Sequence, residues 1–329
     1  MNKMVWLVVG VIVFTFSAVE RSYGVVADDV NVSLTGFIQN QYESHENADD
    51  TFKLLRARPR IKASLGERVS FFVQLDLAYD RIMNDIWVEL NYNDYAKLRI
   101  GQFLLPFGKQ TPINPYNLLT INYSQVVSKL FGGGDLRDVG IIIHGNFSES
   151  NIAVLDMFNY SVSCVNGEGS GSGVSEQNEQ KAFLGRIGVK PLNGLELGAS
   201  GYSGKRGIAK IERNRIGVDF RFDWENLLIQ GEYIQSTDET DATLAHTVEG
   251  GGYFVEAGYK ITPLIQPMLK YDVWDPEVSG ANGSLTKIAV GLNWYIDDFT
   301  RLQGMYEIKS EEENEFDNNS LLIQLGIAF

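Results

Sequence analysis

The stretch LLIQLGIAF, Leu321 to Phe329, ends the chain on an aromatic residue and alternates along its length. Leu321, Ile323, Leu325, Ile327 and Phe329 share one parity, and Leu322, Gln324, Gly326 and Ala328 share the other. A period of two places the first set on one face of a β-strand. That face is continuously apolar, and the opposite face is small, polar or modest. A soluble sheet buries such a face in a core, whereas a membrane barrel turns it to lipid. The rest of the sequence has to choose between these two outcomes.

The same alternation recurs upstream. Phe71, Val73, Leu75, Leu77 and Tyr79 alternate with Phe72, Gln74, Asp76, Ala78 and Asp80, and Ile86, Val88, Leu90 and Tyr92 with Asp85, Trp87, Glu89 and Asn91. Sixteen strands are predicted, near residues 30–42, 52–63, 68–80, 83–92, 96–103, 139–147, 151–159, 182–190, 195–203, 214–224, 227–236, 252–260, 265–274, 286–295, 300–309 and 320–329. Over 151–159 both parities are largely apolar, so the phase there is open. Most of these segments have the ~9–11 residues that a tilted transmembrane strand needs. From the second strand on, every second connection is short, and the others are mostly long and polar: 43–51, 104–138, 160–181, 204–213, 237–251, 275–285 and 310–319. Short turns at one end and long loops at the other are the mark of an all-β, antiparallel transmembrane barrel in the bacterial outer membrane. In such a barrel the last strand pairs with the first and leaves no open edge.

The first residues fit export. Lys3 precedes an apolar run from Met4 to about Ala18, then small residues, which reads as a signal peptide over 1–27 with cleavage after Gly24 or Ala27. The barrel domain is then 28–329. The net charge of −14 argues against nucleic acid as a partner. The single cysteine, Cys164, lies in a Gly/Ser/Asn-rich stretch and reads as a free thiol in a loop. No cofactor or metal site is expected.

On the inward parity, cations slightly outnumber anions although the chain as a whole is acidic, so the negative excess belongs to the loops. Charge is costly against lipid and cheap in a wet lumen. The densest cationic stretch is LRARPRIK, Leu55 to Lys62, where Arg56, Arg58, Arg60 and Lys62 form a column on the second strand. Asp76, Asp80, Asp85 and Glu89 on the next two strands face it, and Lys97 and Arg99 follow on the fifth. Two compatible readings stand: a transverse field that sorts solutes by charge, or ion pairs that stiffen the wall. The segment Phe103 to Asp138 is too long and too apolar for a free exterior loop. It is expected to fold into the lumen as a constriction, with Lys109, Lys129, Asp135 and Arg137 at the narrowing; capping the barrel or packing on a neighbouring subunit is the alternative.

The runs LLRARPRIKASLGERVSFFVQLDLA (Leu54–Ala78) and NDIWVELNYNDYAKLRIGQFLLPFG (Asn84–Gly108) resemble the phosphate-selective porin O and P family. So do Asn166–Pro191, Gly251–Pro263 and Val290–Tyr306 with the last strand. The resemblance implies a sixteen-stranded, homotrimeric outer-membrane channel whose arginines and lysines line an anion path. Arg56 and Arg58 match arginines of the family's R-R-A-R pattern, and Leu55 stands where its first arginine often is. A C-terminal aromatic likewise resembles the signal read by outer-membrane assembly machinery.

The function expected is passive diffusion of small hydrophilic solutes and ions, with outer-membrane lipid and lipopolysaccharide as surroundings. Two alternatives are kept. A structural barrel would sheathe or anchor a partner, such as an electron carrier on another chain. A barrel hydrolase would need a His near Ser or Asp, and only His45, His144 and His246 exist. In the Gly-rich run Asn166–Gly173 no helix pattern follows, which argues against a phosphate-binding loop.

Overall fold

The computed structural model describes residues 30–78, 82–131, 136–148, 155–169, 178–241, 246–278, 283–312 and 318–329. The segment 1–27, read as a signal, falls outside them, as do Asp80 and Asp135.

Sixteen strands form one closed antiparallel barrel. They are β1 (Val30–His45), β2 (Ala48–Leu65), β3 (Val69–Leu75), β4 (Met83–Asn93), β5 (Ala96–Leu104), β6 (Arg137–Asn146), β7 (Phe158–Val165) and β8 (Ala182–Leu192). The second half comprises β9 (Leu195–Arg206), β10 (Ile211–Trp224), β11 (Leu227–Asp241), β12 (His246–Tyr259), β13 (Ile265–Asp275), β14 (Leu285–Tyr295), β15 (Thr300–Glu311) and β16 (Ser320–Ala328). Every strand pairs with its chain neighbours, and β1 pairs with β16 in the register Ile38↔Ile327. The seam ends in a reciprocal pair: Gly36 N–H donates to the Phe329 carbonyl at 2.8 Å, and Phe329 N–H to the Gly36 carbonyl at 3.0 Å. The Phe329 ring lies where a side chain at residue 36 would sit, which is why a glycine is needed there.

The parity rule holds around the barrel. Ile38, Val218, Val290, Leu321, Ile323 and Ile327 are exposed on the outer face, with aromatics such as Tyr92, Trp224, Tyr259 and Trp294. Their strand neighbours Gln39, Asp219, Asn293, Leu322 and Gln324 are buried on the inner one.

The connections depart from expectation in three ways. The supposed long loop 43–51 is a tight hairpin, with only residues 46–47 between β1 and β2. Glu43, Asp49 and Asp50 therefore lie on paired strand ends, where Tyr42 Oη donates to Asp50 at 2.6 Å and Lys53 meets Glu43 at 2.5 Å. Likewise β9–β10 and β11–β12 run on as ribbons, leaving 207–210 and 242–245 as connections. Backbone pairing continues past the lipid band while the apolar parity stops there. In addition, the seventh strand lies at Phe158–Val165 and not at 151–159, so Ser161 and Ser163 take the inner parity and the connection before it spans 147–157. Cys164 consequently sits in β7 on the outer parity, not in a loop.

Candidate functional site in the barrel interior

The interior is organised by the segment between β5 and β6. Gly108 opens it with φ +59, and a Cβ there would come within 1.7 Å of Glu232 Oε1. The chain can approach β11 this closely only as glycine. Gly108 N–H donates to Ser200 Oγ at 2.9 Å, and the N–H groups of Lys109 and Gln110 both donate to Glu232 Oε2 at 3.2 Å. A 3₁₀ turn, Pro115–Asn117, follows, its start fixed by the Asn114 side chain accepting from Tyr116 N–H at 3.0 Å. The Tyr116 hydroxyl then donates to the Phe299 carbonyl in the short turn between β14 and β15. A helix, α1 (Gln125–Leu130), starts at Ser124, whose Oγ accepts from Val127 N–H.

This segment packs on the inner wall from β6 round to β16. Val126, Val127 and Leu130 of α1 join Ile234, Phe254 and Trp274 of β11, β12 and β13 in a buried apolar cluster. Leu119 and Ile121 meet Met268, Ala289, Met305 and Leu322 of β13 to β16 in a second one. Between the clusters, Thr120 Oγ1 donates to Glu256 at 2.9 Å and accepts from Lys270 Nζ at 3.2 Å. Gln125 N–H donates to Asp272 at 2.8 Å. Leu118 O accepts from Arg301 at 3.1 Å, and Leu119 O from Asn293 at 3.0 Å. A chain of carboxamides runs across four strands beneath: Gln324 donates to Gln303, Gln303 to Asn293, and Asn293 to Gln266, at 3.0, 2.7 and 3.2 Å. Burial pushes the Tyr123 phenol up, and its hydroxyl donates to the Ile113 carbonyl within the segment.

The arginine column of β2 meets acids and amides. Arg58 Nε donates to Asp76 at 2.7 Å. Arg56 donates to Gln39 and Arg60 to Gln74, and Arg60 also stands 4.8 Å over the Phe37 ring. Lys62 is exposed and makes no ion pair among the described residues. Asp85 accepts from Gln74 and, twice at 3.0 Å, from Arg137. Arg137, grouped in sequence with the constriction, is the first residue of β6 and is buried against that acid. Glu89 accepts from Arg99 and from His144, and Lys97 stands 3.4 Å from Asp94. Lys109 Nζ reaches Glu196 at 2.6 Å, whereas Lys129 points away exposed on α1.

Several partners were not legible from the sequence. Arg186 bridges Asp219 at 2.6 Å and Glu196 at 3.1 Å, and Trp87 lies 4.9 Å from Phe72 with Arg99 4.1 Å over its ring. Inward parity was their one available signal. The histidines carry no hydrolytic arrangement among the described residues: His45 bonds Glu43 and His144 bonds Glu89. The His246 side chain lies outside the described residues.

No protein-family model and no curated protein matches the chain. Among solved structures it is similar to OmpF of Salmonella typhi in complex with daunomycin, with TM-score 0.69 and 12% identity over 92% of this chain and 99% of that one. A loop-deletion mutant of OmpT, an outer membrane protein of Vibrio cholerae, gives TM-score 0.67 and 12% identity over 92% and 100%. A further porin gives 0.60 and 10% over 91% and 100%. At these identities the likeness is one of fold: the chain is a porin-like, closed sixteen-strand barrel.

Proposed function

We propose that the chain is an outer-membrane porin, exported by its first 27 residues, that lets small hydrophilic solutes and ions diffuse passively. The observation that carries this reading is the sorting of side chains in a closed barrel: apolar and exposed outside, charged and hydrogen-bonded inside. Lipid tolerates the first face, and water with counter-charges the second. The segment 105–136 acts as the constriction. Its contacts with inner-face residues of β9 and β11 to β15 support that placement. Solutes pass along β2 to β8, where Lys62, Lys97 and Arg99 keep exposure. Any anion preference, including the phosphate selectivity that membership of the porin O and P family would bring, rests on these cations. On β2, the buried Arg58 is paired with Asp76, and the half-buried Arg56 and Arg60 bond the amides of Gln39 and Gln74. Assembly as a homotrimer follows the same resemblance, and one similar OmpT structure is a trimer form.

The test is reconstitution of the purified chain in a planar bilayer. Stepwise conductance in potassium chloride is expected. The apolar clusters inside the barrel favour one other reading, a structural barrel that anchors a partner. A silent bilayer together with a co-purifying protein would select it.

A further inference from the structure

A cavity of about 490 Å³ opens between the inner wall of β5 to β8 and the first turn of the constriction segment. This lies within the ~300–1,000 Å³ of small-molecule sites. Its lining mixes two chemistries. Part of it is apolar, from Leu104, Pro106, Pro112, Ile113 and Ile142. Part of it presents donors, from Lys97, Arg99, Lys109, His144 and Arg186. Asp94 is the one carboxylate in the lining. The other acids that hold these cations, Glu89, Glu196 and Asp219, do not line it.

We infer that this cavity binds organic monocarboxylates with an apolar body, such as a single aromatic ring. The inference rests on the channel reading above for its role in passage. A carboxylate accepts from the spare N–H groups of Lys97 and Lys109, each of which has three donors and one acidic neighbour. The ring covers the prolines and isoleucines, removing apolar surface from water. Inorganic phosphate gains the donors alone and loses hydration against the apolar part. A neutral ring of the same size gains the apolar part alone. The cations already carry counter-charges, so the pull on an anion is moderate. A channel site must bind strongly enough to admit a solute and weakly enough to release it.

Isothermal titration of the detergent-solubilised full chain with benzoate, inorganic phosphate and benzyl alcohol tests this directly. Saturable benzoate binding is expected, with phosphate and benzyl alcohol at least tenfold weaker. Lys97→Gln, a change on a strand face, weakens benzoate at least threefold, and Ile113→Asn does so without improving phosphate. Lys53→Gln, which removes a cation at the β1–β2 hairpin tip, changes nothing and controls for bulk charge. Phosphate bound as tightly as benzoate, or benzoate binding indifferent to Lys97→Gln, overturns the assignment. The two readings fail separately. Conductance steps in potassium chloride without benzoate binding sink the site and keep the channel. Benzoate binding in a chain that never conducts keeps the site and sinks the channel.

Discussion

The wall from β11 to β16 and the wall at β5 have the same inward chemistry and different fates. On the first, the Lys270 side chain is 4% exposed and its partner Glu256 is fully buried. On the second, Lys97 and Arg99 keep 30% and 25%. Both walls carry ion pairs on alternating residues. What differs is the cover: residues 105–131 lay apolar side chains and backbone carbonyls over the first wall, and a cavity stays open beside the second. A polar wall becomes a passage or a packed interior according to what lies against it.

The sharpest way to break this contrast is Gly108→Val. The new Cβ collides with Glu232 and forces a branched residue into the left-handed region. Loss of the anchor on β11 should at least double single-channel conductance and lower thermal stability. Conductance unchanged from wild type would mean that the segment does not limit flow. Next in size is Thr120→Val, which strips Glu256 and Lys270 of a shared buried partner. It should cost ~1–3 kcal/mol in denaturant unfolding. Ser161→Ala beside the open cavity should stay within about 0.5 kcal/mol. A smaller effect, read electrically, comes from Arg99→Gln, which should shift reversal potentials toward cations by about twofold in permeability ratio. Lys287→Gln, on the covered side, should shift them less.

The smallest effect concerns a turn outside the membrane. Backbone N–H groups of Phe299 and Thr300 donate to Asp297 at 2.8 and 2.7 Å and hold its carboxyl below the usual range. A lowered folded pKa gives stability that is present above the unfolded value, about 4, and lost as pH falls through the folded one. Asp297→Asn should therefore flatten the acid limb of the melting curve slightly and leave pH 7 conductance intact.

Period-two alternation made the strand number, the closure and the inner face legible in the sequence, because a one-residue slip would turn every side chain around. Strand β7 was misplaced where both parities of 151–159 are apolar and parity gives no phase. The hairpin tips were shortened because the apolar signal ends at the headgroups while hydrogen bonding does not. Within the site, the arginine column was visible, but its pairing with Asp76, Gln39 and Gln74 depends on neighbours brought in by register. The Lys109–Glu196 bridge joins residues 87 apart and had no local sign. Arg137 looked like a loop residue only because the strand begins with it.

The ring of Tyr116 packs tilted against Phe37 of β1, centroids 5.3 Å apart, and its edge lies 3.1 Å from where a Cβ at Gly326 of β16 would be. The first and last strands therefore share a packing partner on the inner segment, so a change in that tyrosine reaches the seam that closes the cylinder.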